Sequence, residues 1–513
     1  MEFLLDLPII KGHILSVIIF LPLLAVAALL FVRNDRAARL ITLIAMIADF
    51  ILTIPLLLRF DKGTAAMQFV ERGEWIPSFN IEYYLGVDGI SVLFIFLTGL
   101  IGWICVLASW TSVEKRVREF MITLLVIQAA MMGVFASLDF FLFYIFWEAM
   151  LIPMYLIIGV WGGPRRVYAA IKFFLYTLAG SILMLVGIIA LYFAGGSTFD
   201  IPLLMTKEYA FGFQAFVFVL FFIAFAIKVP MFPFHTWLPD AHVEAPTAGS
   251  IILAAVLLKM GTYGFLRFSF PMFPDASLYF ATPIIILSII AIIYGAFLAL
   301  SQDDMKKLIA YSSVSHMGFV TFGLFLFNKN GIEGAVLQMF NHGITTGALF
   351  LCVGLIYERT HTRNLKDYGW AARLVPVYAV FLFIFSIASL GFPGTNGFIG
   401  EFLILAGAYA SHKFYLFFLL IGIALGAAYM LSMYQRVSFG AVRGTQAELG
   451  SGHGNEAGHG CVCDVNLREA VALAAFLTFV FWVGFQPMDF LDVMHVSVAN
   501  LIAQVTGAPA ASF

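Results

Sequence analysis

Fourteen apolar runs, most of them about twenty residues long, divide this sequence. A helix needs about 20 apolar residues to cross the hydrocarbon layer of a bilayer. The runs are 14–32, 37–58, 90–110, 120–136, 138–160, 168–194, 211–229, 246–266, 281–300, 308–327, 332–357, 376–410, 414–435 and 469–486. Only 11% of the chain is charged, against roughly 25% in soluble domains. Water cannot be the solvent for that much apolar surface. The expected fold class is therefore an all-α membrane protein of about fourteen transmembrane helices.

Charge and cysteine content narrow the function. A net charge of −2 gives nucleic acid no basic surface to bind. Four cysteines in 513 residues make no disulfide framework. The first residues lack a basic stretch before the apolar run, so a cleaved signal peptide is not expected. Lys and Arg concentrate in cytoplasmic loops of membrane proteins. Placing both termini outside puts Arg33, Arg36, Arg39, Arg165, Arg166, Lys306 and Lys307 in inside loops. Residues 439–466 form one such loop. It holds a Gly/His-rich tract with Cys461 and Cys463, read as a flexible surface loop.

Six titratable side chains lie inside the apolar runs: Glu148, Lys228, Lys259, His316, His342 and Glu401. A charge at mid-bilayer costs at least about 2.5–3.5 kcal/mol on insertion scales, so such residues are functional candidates by default. Burial raises a carboxyl pKa and lowers an amine pKa, and pairing Glu148 with Lys228 would offset both. Histidine titrates near neutrality. Carboxylates, amines and imidazoles at one depth, joined by water, make a proton path. They make a poor cage for Na⁺ or K⁺, which lysine repels. Lys172 lies nearer a span end, where a lysine can reach the headgroups.

Two runs carry helix breakers. Pro230 and Pro233 follow Lys228 and leave carbonyls without amide partners, here those of Ala226 and Val229. Gly391, Pro393 and Gly394 precede Glu401. Irregular backbone at membrane depth is tolerated only inside protein or beside water. Broken helices in two halves point to inverted repeats with a transport site between them. The expected division is three spans in 1–119, a five-helix repeat in 120–268, an inverted five-helix repeat in 281–438, the loop 439–466, and a last span with its tail in 467–513. Arg267-Phe-Ser-Phe and Arg436-Val-Ser-Phe close the two repeats on opposite faces.

At these residues the chain closely resembles the antiporter-like membrane subunits of respiratory NADH:quinone oxidoreductase, complex I. The resemblance rests on KVPMFPFHTWLPDAHVEAPTAGSIILAAVLLKMGTYGFLRF (228–268), YIFWEAMLIPMYLIIGVWGG (144–163), YSSVSHMGF (311–319) and LGFPGTNGFIGEFLIL (390–405). It implies a proton-translocating subunit with Glu148 and Lys228 as the input pair and Lys259 as the central relay. His316 and His342 then connect onward to Glu401, the terminal exchange residue, where related chains commonly carry lysine. It also implies that FMN, iron–sulfur clusters and quinone belong to partner subunits. The partners are other membrane subunits of the complex, sibling antiporter-like chains among them, and the location is a bacterial inner membrane with both termini periplasmic. The alternative is a subunit of a multisubunit Na⁺/H⁺ antiporter. A haem protein ligated by His316 and His342 is a weaker alternative, because it leaves the buried lysines unexplained.

Overall fold

A computed structural model describes residues 12–411, 413–440 and 463–507. Cys461 and most of the Gly/His-rich tract lie outside the described residues. Among the described residues, twelve helices are long and apolar enough to cross a membrane. They run from Ile14–Phe31 to Leu467–Phe485. The runs 308–327 and 376–410 add the helix Met305–Leu324 and the broken pair Pro376–Ser389 and Asn396–Ser411. The chain is a multi-pass helical membrane protein.

Local sequence sets where these helices start. Asn34, Asp139, Asp304 and Asn328 each cap a helix, their side chains accepting hydrogen bonds from amides of the first turn. Asn466 and Glu469 form a reciprocal capping box at the start of the last span. Such caps satisfy amides that helix geometry leaves unpaired.

Burial separates two kinds of helix. Ser91–Ala108, Val117–Ala136, Thr247–Met272 and Lys329–Thr360 are enclosed by the others. The peripheral helices turn large apolar side chains outward, including Ile44, Leu175, Phe193, Phe297 and Phe414. Each such side chain would cost about 1.5–3 kcal/mol to keep in water, and lipid removes that cost. Two of the enclosed helices, Thr247–Met272 and Lys329–Thr360, carry Lys259 and His342 at depth.

The polar stretch 59–89 folds as an antiparallel hairpin, Gln68–Ile76 with Ile81–Val87. It is the one sheet among the described residues. The segment after the last span forms the amphipathic helix Met488–Thr506, which buries Phe490, Met494, Val498 and Ile502. It packs across the ends of Lys329–Thr360 and Phe270–Met272. Ser497 Oγ accepts the Gly89 amide at 3.1 Å, and His495 Nδ1 lies 2.7 Å from Glu333 Oε1.

Candidate functional site

The breaks in the helices position the site. The seventh span, Phe211–Lys228, stops at Lys228, and Pro230 and Pro233 start a turn. The chain then re-enters as the short helix Trp237–Glu244. The Ala226 carbonyl is not left free, as the proline pattern had implied. The Met231 amide reaches it at 2.8 Å, and the Trp237 indole takes the Ile227 carbonyl at 2.9 Å. The break is thus closed internally. A third interruption was not read from sequence. The fifth span divides at Met150 into Phe140–Ala149 and Leu151–Trp161, two residues beyond Glu148. Pro153 supplies the cause, because it cannot donate to the Ala149 carbonyl.

The eighth span is distorted in a different way. Leu253–Leu257 and Phe265–Ser269 are π-helical, and the α-helical turn between them carries Lys259. Such turns recur at functional positions. Here they let the Ala254 carbonyl accept from the Lys259 side chain.

The structure brings four of the six candidates into one row. Lys259 Nζ lies 2.7 Å from His342 Nδ1. The His342 and His316 rings stand 5.9 Å apart, centre to centre. His316 Nδ1 reaches Glu401 Oε1 at 3.2 Å. The Gln338 amide donates to the same carboxylate oxygen at 3.2 Å. Tyr429 hydroxyl and Ser389 Oγ flank His316 Nε2 at 3.2 and 3.4 Å. All four row members are at least 94% buried. A cavity of about 10 Å³ beside both histidines is lined by Gln338, Asn341, Thr345 and Ser389. A second of the same size touches His316, Glu401 and Tyr429. Each has room for about one water.

Glu401 is held by the second break. Gly391 and Gly394 adopt φ of +74° and +89°, which side chains other than glycine's rarely accept. A methyl group on Gly391 would stand 2.7 Å from Glu401 Oε2. Gly400 crosses Gln338 so closely that a methyl there would lie 3.0 Å from its Cα.

The other two candidates stand apart. Glu148 is half-buried, and its Oε1 has no hydrogen-bond partner. Lys228 is 97% buried and faces Met150 Sδ at 3.6 Å and the Trp147 ring at 5.0 Å. Glu148 and Lys228 attract one another but form no direct ion pair. The expected pair is therefore open in this conformation. Gly261, two residues beyond Lys259, packs against the Phe225 carbonyl and the Lys228 side-chain root at Cβ. This contact links the open pair to the row. Lys172, near a span end, is held in an ion pair. Its Nζ lies 2.7 Å from Asp240 Oδ2 and donates to the Thr236 carbonyl at 2.9 Å.

Several polar residues of this region were not picked out from sequence. Gln338, Asn341 and Tyr429 surround the row; Gln338 and Asn341 stand out as polar side chains on an enclosed helix, whereas Tyr429 lies on the peripheral helix Lys413–Ser438 and carries no such signal. His242 and Lys306 are also buried, and neither stands within a run as an isolated charge. No group of three or more His, Cys, Asp or Glu that could hold a metal comes together among the described residues. The row is two hydrogen-bonded pairs, Lys259–His342 and His316–Glu401, separated by a gap beside a small cavity, an arrangement suited to passing protons.

The chain is similar to several known proteins. The family described as NADH:quinone oxidoreductase/Mrp antiporter, transmembrane, matches residues 137–426. NADH-quinone oxidoreductase subunit M of Rhodobacter capsulatus is 46% identical over 509 residues, covering 96% of each chain. NADH-ubiquinone oxidoreductase chain 4 of Arabidopsis thaliana is 46% identical over 491 residues, covering 95% of this chain and 97% of the relative. Among solved structures, a chain of respiratory complex I from Thermus thermophilus with bound NADH superposes with a TM-score of 0.86. It shares 29% identity and covers 96% of this chain and 99% of that one. A chain of the Mrp complex from Dietzia sp. DQ12-45-1b shares the fold, with a TM-score of 0.84 at 20% identity and coverage of 97% and 98%.

Proposed function

The chain belongs to the NADH:quinone oxidoreductase/Mrp antiporter transmembrane family, and from that premise we propose that it is a proton-translocating membrane subunit of a respiratory NADH:quinone oxidoreductase. The observation that carries this reading is the buried row Lys259–His342–His316–Glu401. Each member can gain and lose a proton, and each stands next to the following one or one small cavity away. The row sits where charge is costly, its four side chains buried within apolar runs.

The geometry supports the following assignment of roles. Glu148 and Lys228 form the input pair, open here and closing in another state. Closure would draw positive charge toward Glu148 and away from the eighth span. Lys259 would then hold its proton more strongly, and opening would push that proton toward His342. His316 carries it on, and Glu401 releases it outside. Coupling of this kind requires two states that differ in proton affinity. The open pair supplies one.

The redox chemistry belongs to partner subunits, which hold FMN, iron–sulfur clusters and quinone. The chain works beside sibling antiporter-like subunits in a bacterial inner membrane, with both termini periplasmic. The spans of 120–268 and 281–438 act as two inverted repeats, with the break after Lys228 and the break before Glu401 as counterparts. The basic loops at Arg33–Arg39 and Arg165–Arg166 support this orientation. A role in a multisubunit Na⁺/H⁺ antiporter has less support, since among solved structures identity falls from 29% for the complex I chain to 20% for the Mrp chain.

Purification in mild detergent tests the assignment. Flavin and iron–sulfur subunits should accompany the chain. Recovery with antiporter chains and no flavin would overturn it.

A further inference from the structure

We infer that Asp49 carries a proton, which closes a two-bond acid–amide ring with Gln128 and clasps the second span to the fourth. This proton site stands apart from the row.

Asp49 lies on the second span, Asp35–Leu58, and Gln128 on the fourth, Val117–Ala136. Both side chains are buried. Gln128 Nε2 donates to Asp49 Oδ2 at 2.9 Å and to the Thr98 carbonyl of the third span at 3.3 Å. The second oxygen of each group, Asp49 Oδ1 and Gln128 Oε1, has no hydrogen-bond partner among the described residues. A carboxylate oxygen and an amide oxygen both only accept, so neither can satisfy the other. A proton on Oδ1 makes it a donor. It then donates to Gln128 Oε1, and both oxygens are satisfied at once.

The surroundings offer Asp49 no counter-ion. The second span packs against the first, third and fourth. The first and third, Ile14–Phe31 and Ser91–Ala108, contain no Asp, Glu, His, Lys or Arg. In the fourth, Arg118 and Glu119 lie in the first turn, about 14–15 Å along the axis from Gln128. On the second span itself, Arg39 and Arg59 stand ten residues to either side of Asp49, about 15 Å away. A bare carboxylate there would be a buried charge without a partner, a state such groups avoid by taking up a proton.

The third span makes room for the ring. A methyl group on Gly102 would lie 2.8 Å from Gln128 Oε1. A methyl on Gly99 would stand 3.2 Å from the Cα of Phe50, the residue after Asp49. These close approaches let the second and fourth spans meet beside the third. The fourth span then accepts the Tyr263 hydroxyl on its Phe135 carbonyl at 3.2 Å. The clasp thus steadies a helix against which the Lys259 span is braced.

The test compares the intact complex carrying D49N with wild type by infrared difference spectroscopy. D49N should lose the C=O stretch of a protonated carboxyl and leave the carboxylate bands unchanged. Loss of carboxylate bands, with the acid band intact, overturns the inference. The asparagine amide can make both hydrogen bonds of the ring, so the D49N complex should melt with wild type. D49L and Q128L each strip one side of the ring and should melt lower. Melting of D49L at the wild-type temperature overturns the clasp. Should D49N fail to assemble, Q128L reads the same proton. Its acid band should move to higher frequency, because the Asp49 hydroxyl has lost its acceptor. An unmoved acid band overturns the inference.

Discussion

Lys259 Nζ lies 2.7 Å from His342 Nδ1, in the α-helical turn between two π-helical segments of the same span. The contact joins the eighth span to the eleventh, where the lysine can hand a proton on within the row. Replacing Lys259 with Ala should remove this chain's share of proton pumping and leave the complex assembled. Vesicle proton uptake per NADH, with assembly read on native gels, checks this outcome. Unchanged uptake would refute the relay.

Glu148 stands half-buried and unpaired at Oε1, beside the break at Met150. The Glu148→Gln variant keeps the shape and removes the charge. It should nearly abolish this chain's proton flux while assembly is retained. Pumping at the normal rate would remove Glu148 from the mechanism.

Lys172 pairs with Asp240 at 2.7 Å, away from the row. Both partners are partly exposed, so the pair is worth under about 1 kcal/mol. Lys172→Ala should therefore be milder than Lys259→Ala, with a small drop in melting temperature and most pumping kept. A loss of flux equal to that of Lys259→Ala would show that the Asp240 pair belongs to the path.

Gly391 combines a φ of +74° with a position that leaves no room for a methyl near Glu401. Gly391→Ala should cost about 1–2 kcal/mol from backbone strain alone. It should also displace the Glu401 carboxylate. Thermal unfolding reports the first effect and proton release the second. A variant with wild-type stability and flux would show that the break tolerates side chains there.

Asp139 lies between the fourth and fifth spans and caps the latter. Burial pushes its carboxyl pKa up to about 6, while amides of Leu142, Glu82 and Phe141 pull it down. A raised pKa means that the folded state favours the neutral acid. That stabilising contribution is complete below the unfolded value of 3.8 and is lost as pH rises through about 6. Asn caps equally well without charge. Asp139→Asn should therefore gain stability over wild type at pH 8 relative to pH 5, by at most about 1.4 kcal/mol, since the contribution between pH 5 and about 6 is one pKa unit. Equal melting differences at both pH values would contradict the shift.

Much of this was legible from residue types. Lys259, Glu401 and the two histidines stood out because an apolar run makes any ionisable group conspicuous. Gly391-Phe-Pro-Gly announced its break because few backbones suit that composition. Other features depend on partners remote in sequence. The π turns around Lys259 leave no mark on a run of small and aliphatic residues, since neighbouring helices decide them. His242 escaped notice because it lies in a mixed polar stretch, HTWLPDAH, that reads as a loop. Only its enclosure by Phe350 and two lysines distinguishes it. The hairpin at 68–87 was missed because Gln68–Ile76 has little apolar alternation. The distance between Glu148 and Lys228 is a property of conformational state, which residue types do not encode.

The two π segments of the eighth span have a consequence for comparing relatives. Each holds more backbone per turn than an α-helix needs. Losing one residue from 253–257 could be absorbed by relaxation to an α-helix, with the span still crossing the bilayer. The lysine would survive in the alignment, yet its side chain would swing by about 100° relative to the preceding turn. Two chains can thus share the motif letter for letter around the lysine and still aim it at different neighbours.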